Sequence, residues 1–177
     1  MRRKLRVPPL ASPFQVVLVE PEIPQNTGNI GRLCAATQSP LHLVGRLGFR
    51  LDERSVRRAG LDYWPLLSLH VHPDWGSLRA AHPGRVVLLS ANAEKSYLDA
   101  GFHPGDLLVF GRESSGLPPE LTERHPEALY GIPTAGAVRS INLASAVAIV
   151  LYEALRQVRG LADAKPENTE DTRDFLP

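Results

Sequence analysis

Gly131-Ile132-Pro133-Thr134-Ala135-Gly136-Ala137-Val138-Arg139-Ser140-Ile141-Asn142 leads into Leu143-Ala144-Ser145-Ala146-Val147-Ala148-Ile149-Val150-Leu151-Tyr152-Glu153, and the reading of this stretch decides the fold. A turn of small residues enters Arg139 to Asn142, after which the chain is almost uninterruptedly apolar through Leu151. The Ser140 hydroxyl can accept from an orphan amide of a first helical turn, so Ser140 is expected as the N-cap; Ala, Leu, Val and Ile then suit a helix interior. Apolar side chains fall on every face, which requires enclosure by the fold or by a partner subunit. Taken alone, the stretch reads either as a core helix with a polar cap or as a polar site mounted on a buried helix.

The 177 residues, 43% of them hydrophobic, fit one α/β domain with a real core. The longest apolar run ends at Glu153, short of the roughly 18 residues a bilayer span needs. The basic N-terminus has no long apolar segment behind it, so it does not read as a signal peptide, and a cytoplasmic protein is expected. A single cysteine, Cys34, excludes an intramolecular disulfide and any multi-cysteine zinc site.

The net charge of +1 hides an asymmetry. Residues 1–60 carry ten Lys or Arg against four Asp or Glu, and the remainder ten against fifteen. Arg54, Arg57 and Arg58 share a helical face, with Arg46 and Arg50 just upstream. This group reads as a phosphate-facing patch or as a solvated helix face.

In chain order, residues 1–13 read as a mobile basic arm containing Arg2, Arg3 and Lys4, and 160–177 as a mobile acidic tail; the domain between spans 14–159. Strands are expected at Phe14–Val19, Leu41–Val44, Leu66–Val71, Val86–Ser90, Leu107–Phe110 and Tyr130–Pro133. Helices are expected from about Thr27 to Thr37, capped by Asn26, then at Leu51–Leu61, Trp75–Ala81 and Pro119–Glu127. This alternation implies a mainly parallel sheet with helices on both faces.

Polar clusters follow three of the apolar strands: Asn26 to Arg32, Gly111 to Pro118, and Thr134 to Asn142. The carboxyl ends of parallel strands share one edge, so these clusters are expected to converge on one crevice. Gly111-Arg112-Glu113-Ser114-Ser115-Gly116 has phosphate-loop glycine spacing without the Lys and Ser/Thr that would meet phosphate and magnesium, and no G-x-G-x-x-G follows the first strand. No metal is expected. His70 and His72 share a strand face near Asp74 but lack further ligands, while His42, His82, His103 and His125 read as structural. A Ser114 or Ser140 nucleophile has no histidine nearby in sequence.

Three segments carry a specific resemblance. Asn26-Thr27-Gly28-Asn29-Ile30-Gly31-Arg32, Gly111-Arg112-Glu113-Ser114-Ser115-Gly116-Leu117-Pro118, and Ile132 through Ala144 resemble the three motifs of the SPOUT RNA methyltransferases. Arg58-Ala59-Gly60-Leu61-Asp62-Tyr63 and the lack of a separate RNA-binding domain resemble the TrmL (YibK-like) group, which 2′-O-methylates the wobble nucleotide of certain tRNAs. The likeness runs from about Val16 to Gln157; Gly31 and Ala137-Val138 are small departures from the commonest pattern.

The resemblance implies an α/β fold whose C-terminal segment is threaded into a deep trefoil knot, which sequence rules alone would not propose. It implies S-adenosylmethionine as cofactor, held against Leu89, Gly111, Ile132, Ser140 and Ile141. Asn26, Arg32, Glu113, Ser140 and Asn142 match the residues of the reaction, with Arg32 and Arg139 toward RNA. A guanidinium stays protonated in proteins, so Arg32 is expected to bind phosphate and stabilise a developing alkoxide rather than act as a base. Without a recognition domain, a tRNA-wide basic surface is expected from a homodimer, packed through the C-terminal helix by Ala144, Ala148 and Tyr152.

Overall fold

The computed structural model describes residues 2–50 and 63–169. Its strands are β1 (Arg2–Arg6), β2 (Gln15–Val19), β3 (Leu41–Val44), β4 (Leu69–His72), β5 (Val86–Leu89), β6 (Leu107–Phe110), β7 (Leu129–Tyr130) and β8 (Lys165–Thr169). The helices are α1 (Pro24–Thr37), α2 (Trp75–Ala81), α3 (Pro119–Arg124) and α4 (Leu143–Gln157). The expected helix over Leu51–Leu61, with Arg54, Arg57 and Arg58, lies outside the described residues.

Six strands form one sheet in the order β4-β3-β2-β6-β5-β7, and every pairing in it is parallel. Side chains alternate across such a sheet, and these strands are apolar at nearly every position because both faces are covered. Val16, Leu18, Leu41, Leu43, Leu108 and Phe110 pack with Ile30 and Cys34 of α1 and with Val147, Val150, Leu151 and Ala154 of α4. On the other face Val17, Val19, Val44, Leu88 and Val109 meet Leu78 of α2 and Leu121 of α3. Cys34 is fully buried, and burial pushes its thiol up to about 12, so it is a core residue and no nucleophile.

Several expected boundaries shift for identifiable reasons. α1 begins at Pro24 rather than Thr27, because proline's fixed φ and missing N–H suit the first helical position. Asn26 therefore lies inside the first turn instead of capping it. α1 ends on Gln38, whose left-handed backbone (φ 53°) returns its N–H to the helix carbonyls. The helix expected over Pro119–Glu127 stops at Arg124: Pro126 drives His125 out of the helical region, and a 3₁₀ turn over Pro126–Ala128 follows. β4 starts at Leu69, after a 3₁₀ turn at Trp64–Leu66.

The arm and the start of the tail pair with each other. β1 and β8 pair antiparallel, with Lys4 opposite Glu167 and Arg6 opposite Lys165. The arm and the start of the tail are thus a two-stranded ribbon. Lys, Pro, Glu and Asn are poor strand formers, so Lys165–Thr169 becomes a strand only because β1 supplies its ladder partners. No described helix is long and apolar enough to cross a membrane.

Candidate active site

The chain leaves β2 toward β3 on one side and, much later, places β6 on the other, so the sheet order reverses between β2 and β6. A crevice opens beyond the carboxyl ends of the strands at such a switch point. Loop 20–23 and α1 follow β2, the loop over Gly111–Pro118 follows β6, and segment 131–142 follows β7 at the far edge. All three motif clusters lie at this one end of the sheet.

Glu113 joins them. Its Oε2 accepts from the Glu22 amide at 2.8 Å, and its Oε1 accepts from the Ile23 amide at 3.3 Å and from Asn26 Nδ2 at 3.0 Å. A carboxylate at the start of α1 satisfies orphan amides and complements the helix dipole. Asn26 Oδ1 in turn accepts from Asn142 Nδ2 at 3.0 Å. Asn142 Oδ1 accepts from the Ala144 and Ser145 amides at 2.9 and 3.3 Å, so Asn142, not Ser140, is the N-cap of α4. One hydrogen-bonded chain, Glu113–Asn26–Asn142, thus pins the starts of both core helices to the β6 loop. Ser140 is exposed in the segment just before this cap.

The β6 loop is tied down from a second direction. Glu22 accepts from both the amide and the hydroxyl of Ser114, each at 2.9 Å, and Arg112 pairs with Glu20. Arg112 and Gly116 exchange backbone hydrogen bonds at 3.0 and 2.9 Å. Gly116 has φ 75°, a conformation glycine adopts without penalty. A Cβ on Gly111 would overlap the Gly116 carbonyl carbon and the Leu117 amide, so the loop closes this tightly only over glycine. Arg139 Nη2 donates to the Ser114 carbonyl at 3.4 Å, which lays segment 131–142 against the same loop. Glu20 and Glu22 are site residues that the sequence pattern did not single out; two carboxylates directly after an apolar strand were the available signal.

Arg32 is exposed on α1, its guanidinium 5.0 Å above the centre of the Tyr63 ring, and the Tyr63 hydroxyl donates to the Gly28 carbonyl. The ring therefore serves as a platform for the cation. A Cβ on Gly31 would lie 3.2 Å from Leu67 Cδ2 and 3.5 Å from Tyr63, which accounts for glycine before Arg32: α1 packs closely on this aromatic turn. Arg46 and Arg50 are exposed.

Of the residues expected at the cofactor, Leu89, Gly111 and Ile132 follow or end the adjacent strands β5, β6 and β7. Past β7 the backbone is held by Gly131 to Lys95 and Tyr97 to Gly131 hydrogen bonds of 2.8 and 2.9 Å, and these stop before Ile132. Ile132, half-buried, packs against the core cluster that contains Leu89. Apolar side chains with backbone donors and acceptors fit an adenosyl group. Ser140 and Ile141 belong to the same segment, ten residues or fewer beyond Ile132.

Residues 13–152 match the SpoU rRNA Methylase family. A Burkholderia pseudomallei protein named tRNA (cytidine(34)-2'-O)-methyltransferase is 47% identical over 148 residues, covering 81% of this chain and 95% of its own length. A solved structure described as "Structural insights into the 2-OH methylation of C/U34 on tRNA" superposes with a TM-score of 0.79 at 46% identity, over 84% of this chain and 98% of that one. The SpoU methyltransferase AviRb of Streptomyces viridochromogenes, solved with AdoMet, superposes with a TM-score of 0.72 at 28% identity, over 85% of this chain and 63% of that one. The chain belongs to the SpoU methylase family, within the SPOUT RNA methyltransferases.

Proposed function

We propose that this protein is an S-adenosylmethionine-dependent tRNA methyltransferase that modifies the ribose 2′-hydroxyl of cytidine or uridine at position 34. The observation that carries the reading is the Glu113–Asn26–Asn142 chain: it holds three loops around one crevice in a protein this similar to enzymes named for that reaction. Bound S-adenosylmethionine supplies an electrophilic methyl carbon on a sulfonium. The protein's part is to bring the 2′-hydroxyl into line with it and to stabilise the charge that grows on the oxygen.

Arg32, fixed over Tyr63, holds the neighbouring phosphate and faces the developing alkoxide. Glu113 acts by position, since its two oxygens already accept from three donors. Asn142 divides its side chain between the α4 amides and Asn26, so it fixes where Ser140 and Ile141 stand. Leu89, Gly111, Ile132, Ser140 and Ile141 form the cofactor's cradle. Segment 131–142, laid against the β6 loop by Arg139, is the part of the chain whose threading would tie the trefoil knot.

The tRNA surface draws on Arg46, Arg50, Arg54, Arg57, Arg58 and Arg139 from two copies in a homodimer, working in the cytoplasm. On α4, Ile149 and Tyr152 are 39% and 46% exposed while Ala144 and Ala148 are half-buried. The contact face is therefore centred on Ile149 and Tyr152 rather than on the alanines. Domain limits of 14–159 leave the β1–β8 ribbon outside the catalytic unit.

The test is to incubate the protein with labelled S-adenosylmethionine and total tRNA and rRNA from a strain lacking the enzyme, then map the methylated nucleotide. Label at the ribose of tRNA position 34 is expected. Label confined to rRNA or to another tRNA position would reject the assignment.

A further inference from the structure

At the opposite edge of the sheet from β7, the pairing of β3 with β4 sets His42 beside His70 and Val44 beside His72. Residues two apart on a strand share a face, so His42, His70 and His72 project together. His82, which ends α2, closes over them, its ring centre 4.5 Å from that of His42 and 5.9 Å from that of His72. His42 Nδ1 lies 3.0 Å from His72 Nε2, and one ring nitrogen from each of His42, His72 and His82 falls within 4.8 Å of the others. Along the sequence His42 and His82 look structural and His70 with His72 lack further ligands; the fold assembles the group from three elements.

Gln15 orients the group. Its amide nitrogen donates to the Pro13 carbonyl at 3.4 Å, which turns Oε1 toward His42 Nε2 at 2.8 Å. An amide oxygen can only accept, so the His42 proton sits on Nε2 and the Nδ1 lone pair faces His72. This is the arrangement in which an acceptor behind a ligating imidazole fixes its tautomer.

We propose that His42, His72 and His82 form a binding site for a divalent transition-metal ion of the zinc class, with Gln15 positioning His42. Imidazole suits zinc, nickel and copper. Zinc–nitrogen bonds of about 2.1 Å in a tetrahedral centre set ligand nitrogens about 3.4 Å apart. That spacing lies between the 3.0 Å of His42–His72 and the outer limit of 4.8 Å in the cluster, so small ring rotations suffice. His42 is fully buried, whereas His72 and His82 are half-buried, which leaves a route for the ion and room for a water as fourth ligand. His70 stacks flat on His42, ring centres 4.8 Å apart at 16°, and its Nε2 meets the Ser68 hydroxyl at 3.0 Å, so it walls the site without ligating. The ion would fasten edge strand β4 to β3 and to the end of α2, away from the methyl-transfer crevice between β2 and β6.

Calorimetric titration of untagged, chelator-stripped protein with Zn²⁺ tests this. One saturable equivalent per chain is expected, with affinity reduced tenfold or more in His72→Gln and in His82→Gln and unchanged in His125→Gln, a histidine outside the cluster. Circular dichroism checks that each variant is folded. Absence of saturable binding, or binding by His72→Gln and His82→Gln as tight as that of the wild-type protein, would overturn the proposal. A second measurement needs no substitution: in the wild-type protein the ring ¹⁵N resonances of His42, His72 and His82 should shift with one equivalent of Zn²⁺, and unmoved resonances would reject the site.

Discussion

Glu113 shows how one side chain can be read two ways until its partners are known. As a lone carboxylate in a polar loop it is a candidate base; with the Glu22 and Ile23 amides and Asn26 Nδ2 around it, it is an anchor for α1. Glu113→Gln should lower kcat by about 10²-fold through misplacement of the loops. The shape of the pH–rate profile should not change, and loss of its acid-side limb would instead make Glu113 the base. Arg32→Lys should also lose about 10²-fold in kcat/KM, because an ammonium lacks the planar fork that stacks on Tyr63 and clamps a phosphate; single-turnover rates and RNA affinity measured together check it. His42 yields a stability prediction. Burial, and then the imidazoles of His82, His70 and His72, pushes its pKa down to about 3 from 6.5. The unfolded chain therefore binds a proton that the fold refuses between those values, so stability is full above pH 6.5 and falls as the pH drops toward 3. The slope contributed is up to ~1.4 kcal/mol per pH unit. Urea unfolding of chelator-treated protein across this range should show the decline, and His42→Asn should flatten it.

Helix α4 depends on Asn142 for its start and on the sheet for its burial. Asn142→Ala removes the acceptor for two amides and should cost about 1 kcal/mol of stability, seen as a lower urea midpoint. It also strips Asn26 of a partner, so activity should fall further than stability predicts. Ser140→Ala, at the position the sequence favours for the cap, should change stability by less than about 0.5 kcal/mol. At the β6 loop, Gly111→Ala has no space for its methyl group against Gly116 and Leu117. The loop must open to admit it, and calorimetry should show weakened binding of S-adenosylmethionine.

At the scale of the molecule, the parallel sheet gathers the three polar clusters at one edge, and α4 leaves Ile149 and Tyr152 exposed on the face of the proposed dimer. Ile149→Asp should yield a monomer by light scattering, and with it weaker tRNA binding, because each copy holds only part of the basic surface. A dimer that survives this change would place the interface elsewhere. Affinity for tRNA should fall steeply with salt, as expected when arginines displace counterions from phosphates.

Apolar runs such as Val16–Val19 and Leu107–Phe110, alternating with capped helices, were enough to specify a parallel α/β sheet, since a strand buried on both faces has little choice of composition. The motif residues also announced themselves, because polar clusters after buried strands can only stand at the sheet's carboxyl edge. Which partner each would take was not legible. Asn26 and Asn142 are 116 residues apart, Glu22 and Glu113 91, and propensity carries no information across such distances. The same limit hid the strand at Lys165–Thr169, whose residues disfavour β structure until β1 pairs with them, and the histidine cluster, whose members come from β3, β4 and the end of α2. Local sequence determined the elements and the chemistry available at their ends; long-range pairing alone decided which side chains meet.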